Sequence, residues 1–235
     1  MNALSDEDQL DNLKSFTKKY GSAIISGILI ALIAFFGWEY WQKKTLAENQ
    51  MRTAKVQQLM DEARNVNSQD INALNALSQS ADKIVKEAPD SVHALQAQFV
   101  MAKQAYDRGD YAAAEKALKR VEATKLKDEG LVHVLKLRLA YAQLAQNKYD
   151  AALKTLADVT DPAFKATAEE ARGDVYVAKN DIASARKAYQ SAWDALAERK
   201  KERQILQIKL ESVGILVDDP EIERPLIETA AEETE

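Results

Sequence analysis

The side chains that could carry chemistry are few in this sequence and lie far apart. His93 and His133 are the two histidines, and the sequence contains no cysteine. Protein zinc sites take several histidine, cysteine or carboxylate ligands at short spacings, and neither histidine has a second histidine or cysteine at such a spacing. Both are therefore expected to be ordinary helix residues. The lack of cysteine also excludes thiol catalysis and disulfide bonds.

Phosphate binding and acyl transfer lack their usual motifs as well. The segment GSAIISG at 21–27 is not followed by the Lys-Ser/Thr pair of a phosphate-binding loop, and no Gly-x-Ser-x-Gly motif occurs. Carboxylates alternate with lysines at helical spacing, as Glu115 does with Lys119, which is typical of a solvated helix face. We therefore predict a protein that is not an enzyme and that uses no cofactor, metal or small-molecule substrate.

The charge distribution argues against a nucleic-acid partner and sets the C-terminal segment apart. The formal net charge is −5, whereas nucleic-acid binding needs a basic face. Residues 218–235 hold eight acidic residues against one arginine, together with Pro220 and Pro225. This composition predicts an acidic disordered tail.

A binding surface is the function class that these exclusions leave. Stacked helix pairs form a concave groove that can hold a peptide or a helix of a partner. The polar side chains on the helices expected to line such a groove are the binding candidates. They are His93, Gln96, Lys103, Lys136, Gln143, Glu170 and Asp174.

The helix pairs that would position these side chains are visible as a repeat. The segments RGDYAAAEKALKRV, QNKYDAALKTLADV and AKNDIASARKAYQSA each begin with a short polar turn, which predicts a helix reversal. Antiparallel helices pack closely where one presents a small residue and the other fills the gap with a large one. The second helix of each pair is expected to start at Tyr111, Tyr149 or Ile182. On these second helices the expected small residues are Ala114, Ala152 and Ala185, and the expected large residues are Leu118, Leu156 and Tyr189. On the first helices the expected small residues are Ala102, Ala140 and Gly173.

An uncharged run from Ser22 to Trp38 lies near the N-terminus. At about 1.5 Å per residue it is long enough to cross the hydrocarbon core as one helix. No small-residue cleavage site follows it, so we predict a retained anchor and not a cleaved secretion signal. The lysines on its two sides are nearly balanced, which leaves the orientation open on charge alone. Ala23, Gly27 and Ala31 lie four residues apart on one face, where a partner's membrane helix could pack closely.

These features predict an all-α protein with a single N-terminal transmembrane helix and an α-solenoid. The chain has 7 glycines and 4 prolines, and so few helix-breaking residues favour helix over a turn-rich β fold. The predicted segments are 1–20 before the membrane, 21–41 as the transmembrane anchor, 42–70 as a helical stem, 71–217 as the repeat domain and 218–235 as the acidic tail.

The order of these elements resembles the ancillary SecYEG translocon subunits, the YfgM-like family of Gram-negative bacteria. The resemblance rests on a membrane helix ending in GWEYWQKK, on LRLAYAQLAQNKYDAALKTL and ARGDVYVAKNDIASARKAYQSA in the repeats, and on a closing LQIKLESVGIL. It implies an N-terminus in the cytoplasm, an anchor in the bacterial inner membrane and tetratricopeptide-like repeats in the periplasm. It also implies association with the SecYEG translocon and with a membrane-anchored periplasmic chaperone of the prolyl-isomerase-like class.

Two function classes agree with this sequence. The first is an ancillary translocon subunit whose groove binds a chaperone or exported proteins. The second is a membrane-anchored scaffold or regulator, for example in envelope stress signalling or cell division, with one dedicated partner. Some tetratricopeptide domains hold a C-terminal carboxylate with a clamp of Lys and Asn. Phe99, Leu137 and Tyr141 occupy the inner positions here, so that clamp is not expected.

Overall fold

The computed structural model describes residues 6–67, 70–122, 126–197 and 204–217. Within these ranges the chain forms α-helices and one short 3-10 turn, and it contains no β-strand. The all-α prediction is therefore confirmed, whereas the predicted tail, 218–235, lies outside the described residues. The helices are α1 (Asp6–Asn65), α2 (Ile71–Glu87), α3 (Val92–Asp107), α4 (Tyr111–Glu122), α5 (Glu129–Leu144), α6 (Tyr149–Ala157), α7 (Lys165–Ala178), α8 (Ile182–Ala197) and α9 (Gln204–Ser212), with the 3-10 turn at Pro162–Phe164.

The longest helix, α1, contains the uncharged run near the N-terminus. It has 60 residues and no proline to interrupt it, so the predicted anchor and residues 42–65 of the predicted stem form one continuous helix, which ends at Asn65. An apolar window within it has a mean hydropathy of 2.1 and no buried side chains. Among the described residues, α1 is the helix whose length and composition suit a membrane span.

The described residues fall into two compact units, the first ending at Gln58 and the second beginning at Leu59. The repeat helices belong to the second unit. There α3 packs on α4, α5 on α6 and α7 on α8, which are the helix pairs that the repeat predicts.

The turns inside these pairs share one backbone conformation. Gly109, Asn147 and Asn180 have positive φ angles of 78°, 59° and 62°, and each lies two residues before a second helix. Glycine and asparagine adopt this left-handed conformation most easily. It lets the next amide bond back to the helix that has just ended, which reverses the chain within a few residues. These bonds run from the N–H of Asp110 to the carbonyl of Ala105, from Lys148 to Gln143 and from Asp181 to Tyr176, each at 2.9 Å.

Small residues let the two helices of a pair approach closely. The predicted positions Ala114, Ala152 and Ala185 are at most 1% exposed. In the third pair Gly173 of α7 lies directly against the ring of Tyr189 on α8, because a Cβ added at Gly173 would lie 2.2 Å from two ring carbons. The small-against-large packing predicted from the repeat is therefore confirmed at this contact.

Apolar clusters that join consecutive helices form the core of the second unit. One cluster joins α3, α4 and α5, another joins α5, α6 and α7, and another joins α8 and α9. The predicted closing helix is α9, whose Leu206 and Leu210 are buried in the same cluster as Tyr189 and Trp193. Each helix pair thus covers the apolar face of its neighbour, as in other solenoids.

Candidate binding groove

A groove lies within the second unit, between the end of α1 and helices α3 and α5. It consists of two adjoining cavities of about 240 and 560 Å³. Phe99, Lys103, Asp107 and Arg138 line both cavities, which makes the groove continuous. These residues come from the first helices of the pairs, which line the concave side of a helical-repeat stack. We call this feature the α3–α5 groove.

The α3–α5 groove is lined by aromatic rings. Phe99 and Tyr106 lie seven residues apart on α3 and therefore on the same face, and Tyr141 comes from α5. The ring of Tyr106 meets that of Tyr111 edge-on, with centroids 4.9 Å apart, and Tyr106 remains 42% exposed. Burial, reinforced by Tyr111, raises the pKa of the Tyr106 hydroxyl, so this group stays a neutral hydrogen-bond donor. Such a surface suits the apolar side chains of a partner.

Lys103 and Arg138, the cations that line both cavities, differ in their pairing. Lys103 forms an ion pair with Asp107, one turn further along α3. The guanidinium carbon of Arg138 lies 4.0 Å from the centroid of the Phe99 ring, and no carboxylate within the described ranges pairs with it. Burial lowers the pKa of Arg138, but a guanidinium remains charged at physiological pH.

A polar network next to the groove holds Tyr141 and the closing helix in place. The hydroxyls of Tyr141 and Tyr189 donate to Asp174, at 3.4 and 2.8 Å. Lys209 of α9 donates to Asp174 at 2.8 Å and to Glu170 at 2.6 Å. Burial opposes the charged form of Lys209, but these hydrogen bonds outweigh it and raise its pKa. Burial, together with Asp174, also raises the pKa of Tyr141.

Two of the predicted groove candidates line the α3–α5 groove. Gln96 lines the larger cavity, and Lys103 lines both. His93 is half-buried near the start of α3 and lines neither cavity. The other histidine, His133, is buried on α5 with its ring centroid 5.4 Å from that of Phe164.

Three further candidates make contacts between helices. Lys136 donates to the carbonyl oxygen of Asp158, just after the end of α6, at 3.0 Å. Glu170 and Asp174 bind Lys209 in the polar network and line neither cavity. Their part in binding a partner stays a prediction.

The interpretation of Gln143 as a groove residue is corrected by its burial. Gln143 is 4% exposed. Its amide oxygen accepts a hydrogen bond from Thr155 at 2.8 Å, and its amide nitrogen lies 3.5 Å from Glu115. A side chain enclosed between helices in this way cannot contact a partner in the groove.

The interpretation of Glu115 as part of a solvated face is also wrong. Glu115 is 6% exposed, and its carboxylate accepts hydrogen bonds from Lys148 at 2.7 Å and Gln146 at 2.9 Å, in addition to pairing with Lys119 at 2.8 Å. Burial alone would raise the pKa of Glu115, but these partners outweigh it and lower the pKa to about 2. The partners at 146 and 148 belong to the next repeat, so Glu115 connects two repeats.

Sequence reasoning does not identify Arg138 or Tyr106 as groove residues. The apolar spacing along α3 assigns Tyr106 to the packing face of that helix. One sequence feature could have identified them as groove residues. Arg138 and Tyr141 lie one turn apart on α5, and they face Phe99 and Tyr106 on α3. This spacing can be recognised only when it is known that α5 lies beside α3.

The predicted small face of the anchor lies on α1. Ala23, Gly27 and Ala31 are all exposed, and no atom lies within 4 Å of where a Cβ at Gly27 would stand. Their contact with a partner's membrane helix stays a prediction.

Comparison with protein families matches residues 14–215 to a family described as tetratricopeptide repeat-like domain. The match therefore spans the apolar helix as well as the repeats.

Several bacterial proteins are similar to this chain over nearly its whole length. A Neisseria gonorrhoeae protein named ancillary SecYEG translocon subunit is 30% identical, with 89% of this chain and 98% of the relative covered. A protein of the same name from Haemophilus influenzae is 28% identical, with 90% of this chain and 98% of the relative covered. Another, from Escherichia coli, is 29% identical, with 81% of this chain and 86% of the relative covered. No solved structure gives a significant match.

Proposed function

Because the chain belongs to the tetratricopeptide repeat-like family and, within it, to the ancillary SecYEG translocon subunits, we propose that it is a single-pass inner-membrane protein that accompanies the SecYEG translocon. One observation supports this most directly: relatives named for that role match over 98% of their length. The similarity therefore includes the apolar helix together with the repeats. In this role the protein binds partners and does not catalyse a reaction.

The proposed orientation places the N-terminus in the cytoplasm and the repeats in the periplasm. The balanced lysines around the anchor do not decide this, so it rests on the resemblance to the family. The proposed periplasmic partner is a membrane-anchored chaperone of the prolyl-isomerase-like class, with exported chains as further clients.

The α3–α5 groove is the proposed binding surface for these partners. Its rings supply apolar contact area, and the Tyr141 hydroxyl lies 3.4 Å from a carboxylate oxygen of Asp174, a long hydrogen bond. A membrane anchor confines protein and partner to the same surface, and tethering raises their effective concentration. Weak and sequence-tolerant binding in the groove is then sufficient.

Site-specific crosslinking in native membranes tests the groove. A photoreactive amino acid at Tyr106 should crosslink to the chaperone or to exported chains. The same group at Lys116, an exposed residue on α4, is the matched control and should not. Crosslinks from Tyr106 to one stoichiometric protein unrelated to export would contradict the proposal and support a dedicated scaffold.

Co-purification with SecYEG tests the anchor. Gly27→Leu fills the small face of α1 and should reduce co-purification, whereas Ile28→Leu, at an exposed neighbouring position, should not. Replacing Ser22–Trp38 with an unrelated membrane helix should reduce it further. If all three variants co-purify like the wild type, the anchor only holds the protein in the membrane.

A further inference from the structure

We propose that the partner segment held in the α3–α5 groove carries a carboxylate next to an aromatic or aliphatic side chain, and that Arg138 binds this carboxylate. The inference rests on the proposed function of the groove and specifies the chemistry of its ligand. It concerns a protein segment and not a lipid or a small molecule.

Arg138 is held against an aromatic ring and has no carboxylate partner among the described residues. Its guanidinium stacks on the Phe99 ring at 4.0 Å, which fixes the planar group and leaves its edge N–H donors free for other bonds. In the ranges that the structure describes, no carboxylate pairs with Arg138. A cation held at an aromatic surface has lost part of its hydration, so an incoming carboxylate gains a charge-assisted hydrogen bond.

Lys103 lines the same cavities as Arg138 but differs from it in its ion pairing. It already pairs with Asp107, and its side chain is 73% exposed, so water screens its attraction for a ligand carboxylate. Arg64, which lines the larger cavity, is also paired, with Asp61 at 3.2 Å. Of the three groove cations, Arg138 is therefore the one without a carboxylate partner among the described residues. The ligand carboxylate is expected at Arg138.

The guanidinium of Arg138 lies close to the apolar surface of the groove. Because the Arg138 guanidinium lies directly on Phe99, a carboxylate bound to it stands beside the ring-lined cavity. The neighbouring side chain of the ligand must then enter that cavity, whose other ring residues are Tyr106 and Tyr141. A ligand with an apolar side chain beside an acidic one matches both the ring-lined cavity and the Arg138 guanidinium. A purely apolar segment would leave the guanidinium unpaired.

Peptide binding to the full chain in nanodiscs tests this inference. The probes are two labelled peptides, one containing Glu-Phe-Glu-Leu and a matched one containing Gln-Phe-Gln-Leu, measured by fluorescence anisotropy with empty nanodiscs as a blank. The wild type should bind the Glu peptide roughly ten- to a hundredfold tighter, which is the typical effect of a hydrogen bond to a charged group. Added salt should reduce this preference.

Two matched variants assign the preference to its residue. Arg138→Gln should remove the preference for the Glu peptide, and Lys103→Gln should leave it nearly unchanged. A purely structural role of Arg138 would weaken both peptides equally and leave their ratio unchanged.

Three results would overturn the inference. If Arg138→Gln keeps the preference while Phe99→Ala abolishes binding of both peptides, the groove binds without Arg138 and the proposed groove function stands. If nanodiscs with the wild type bind neither peptide more tightly than empty nanodiscs, the proposed ligand chemistry is wrong. Crosslinking from Tyr106 then tests separately whether the groove binds a partner. If the Glu peptide binds only to a chain ending at Val217, the occupant is the chain's own C-terminal segment and not a partner.

Discussion

Replacing Gly173 with alanine gives the sharpest test of the helix packing. The added Cβ would lie 2.2 Å from two carbons of the Tyr189 ring and 2.8 Å from a third, whereas carbon atoms normally approach to about 3.5–4.0 Å. The ring would have to move by more than about 1 Å. It cannot do so freely, because Tyr189 is buried and its hydroxyl donates to Asp174 at 2.8 Å.

The magnitude follows from three contributions. Overpacking a filled core costs about 1–3 kcal/mol. Loss of the hydrogen bond to the Asp174 carboxylate adds up to about 3 kcal/mol. The higher helix propensity of alanine offsets about 1 kcal/mol of this destabilisation. We expect Gly173→Ala to lower the free energy of unfolding by roughly 2–4 kcal/mol and the melting temperature by about 5–15 °C.

Urea unfolding of the detergent-solubilised chain, followed by circular dichroism at 222 nm, measures this change. Gly130→Ala is the matched control, because Gly130 is also helical and a Cβ there would lie 3.4 Å from an oxygen of Asp128, an ordinary contact distance. Gly130→Ala should leave the free energy of unfolding unchanged or raise it slightly. In a Tyr189→Leu background Gly173→Ala should lose most of its cost. If Gly173→Ala is as well tolerated as Gly130→Ala, the close packing of α7 on α8 is wrong.

Three further predictions concern the same unit. Ala152→Leu should lower the free energy of unfolding by about 1–3 kcal/mol through overpacking, and unchanged unfolding would show that the pairing of α5 with α6 is wrong. Glu115→Gln should lower it by about 1–3 kcal/mol at pH 7, discounted because Lys119 and Lys148 are half-exposed. Since the pKa of Glu115 falls from 4.5 to about 2 on folding, its stabilisation exists above pH 4.5 and is lost as the pH falls towards 2. The difference between wild type and variant should therefore shrink over that interval. The control Glu122→Gln, at an exposed position on α4, should change the free energy of unfolding at pH 7 by less than about 0.5 kcal/mol. A chain ending at Val217 should melt like the full chain, because 218–235 has too little apolar area to offset the entropy of ordering it, and a large fall in melting temperature would contradict this.

Local patterns explain why much of the fold could be predicted. The starts of α4, α6 and α8 follow from a polar turn with glycine or asparagine, and the buried alanines follow from helical spacing. Both signals lie within a few residues of the feature that they specify. The anchor could be predicted for the same reason, because an uncharged run of that length has few alternatives.

Contacts between repeats explain what could not be predicted. Glu115 has Lys119 one turn away, which is the pattern of an exposed ion pair, yet its carboxylate is buried by Gln146 and Lys148 from the next repeat. Arg138 likewise becomes a groove residue only when α5 lies beside Phe99 of α3. Side-chain types give no indication of such pairings until the helix order in space is known.

The left-handed residues at the turns also set the angular phase of each second helix. After Asn147 a single residue, Lys148, precedes the start of α6 at Tyr149. One inserted residue would rotate α6 by about 100° about its axis, and Ala152 would turn away from α5 towards water. A turn can therefore exchange its side chains for those of another repeat but cannot change its length. Natural or engineered length variation in this protein should fall outside these three turns.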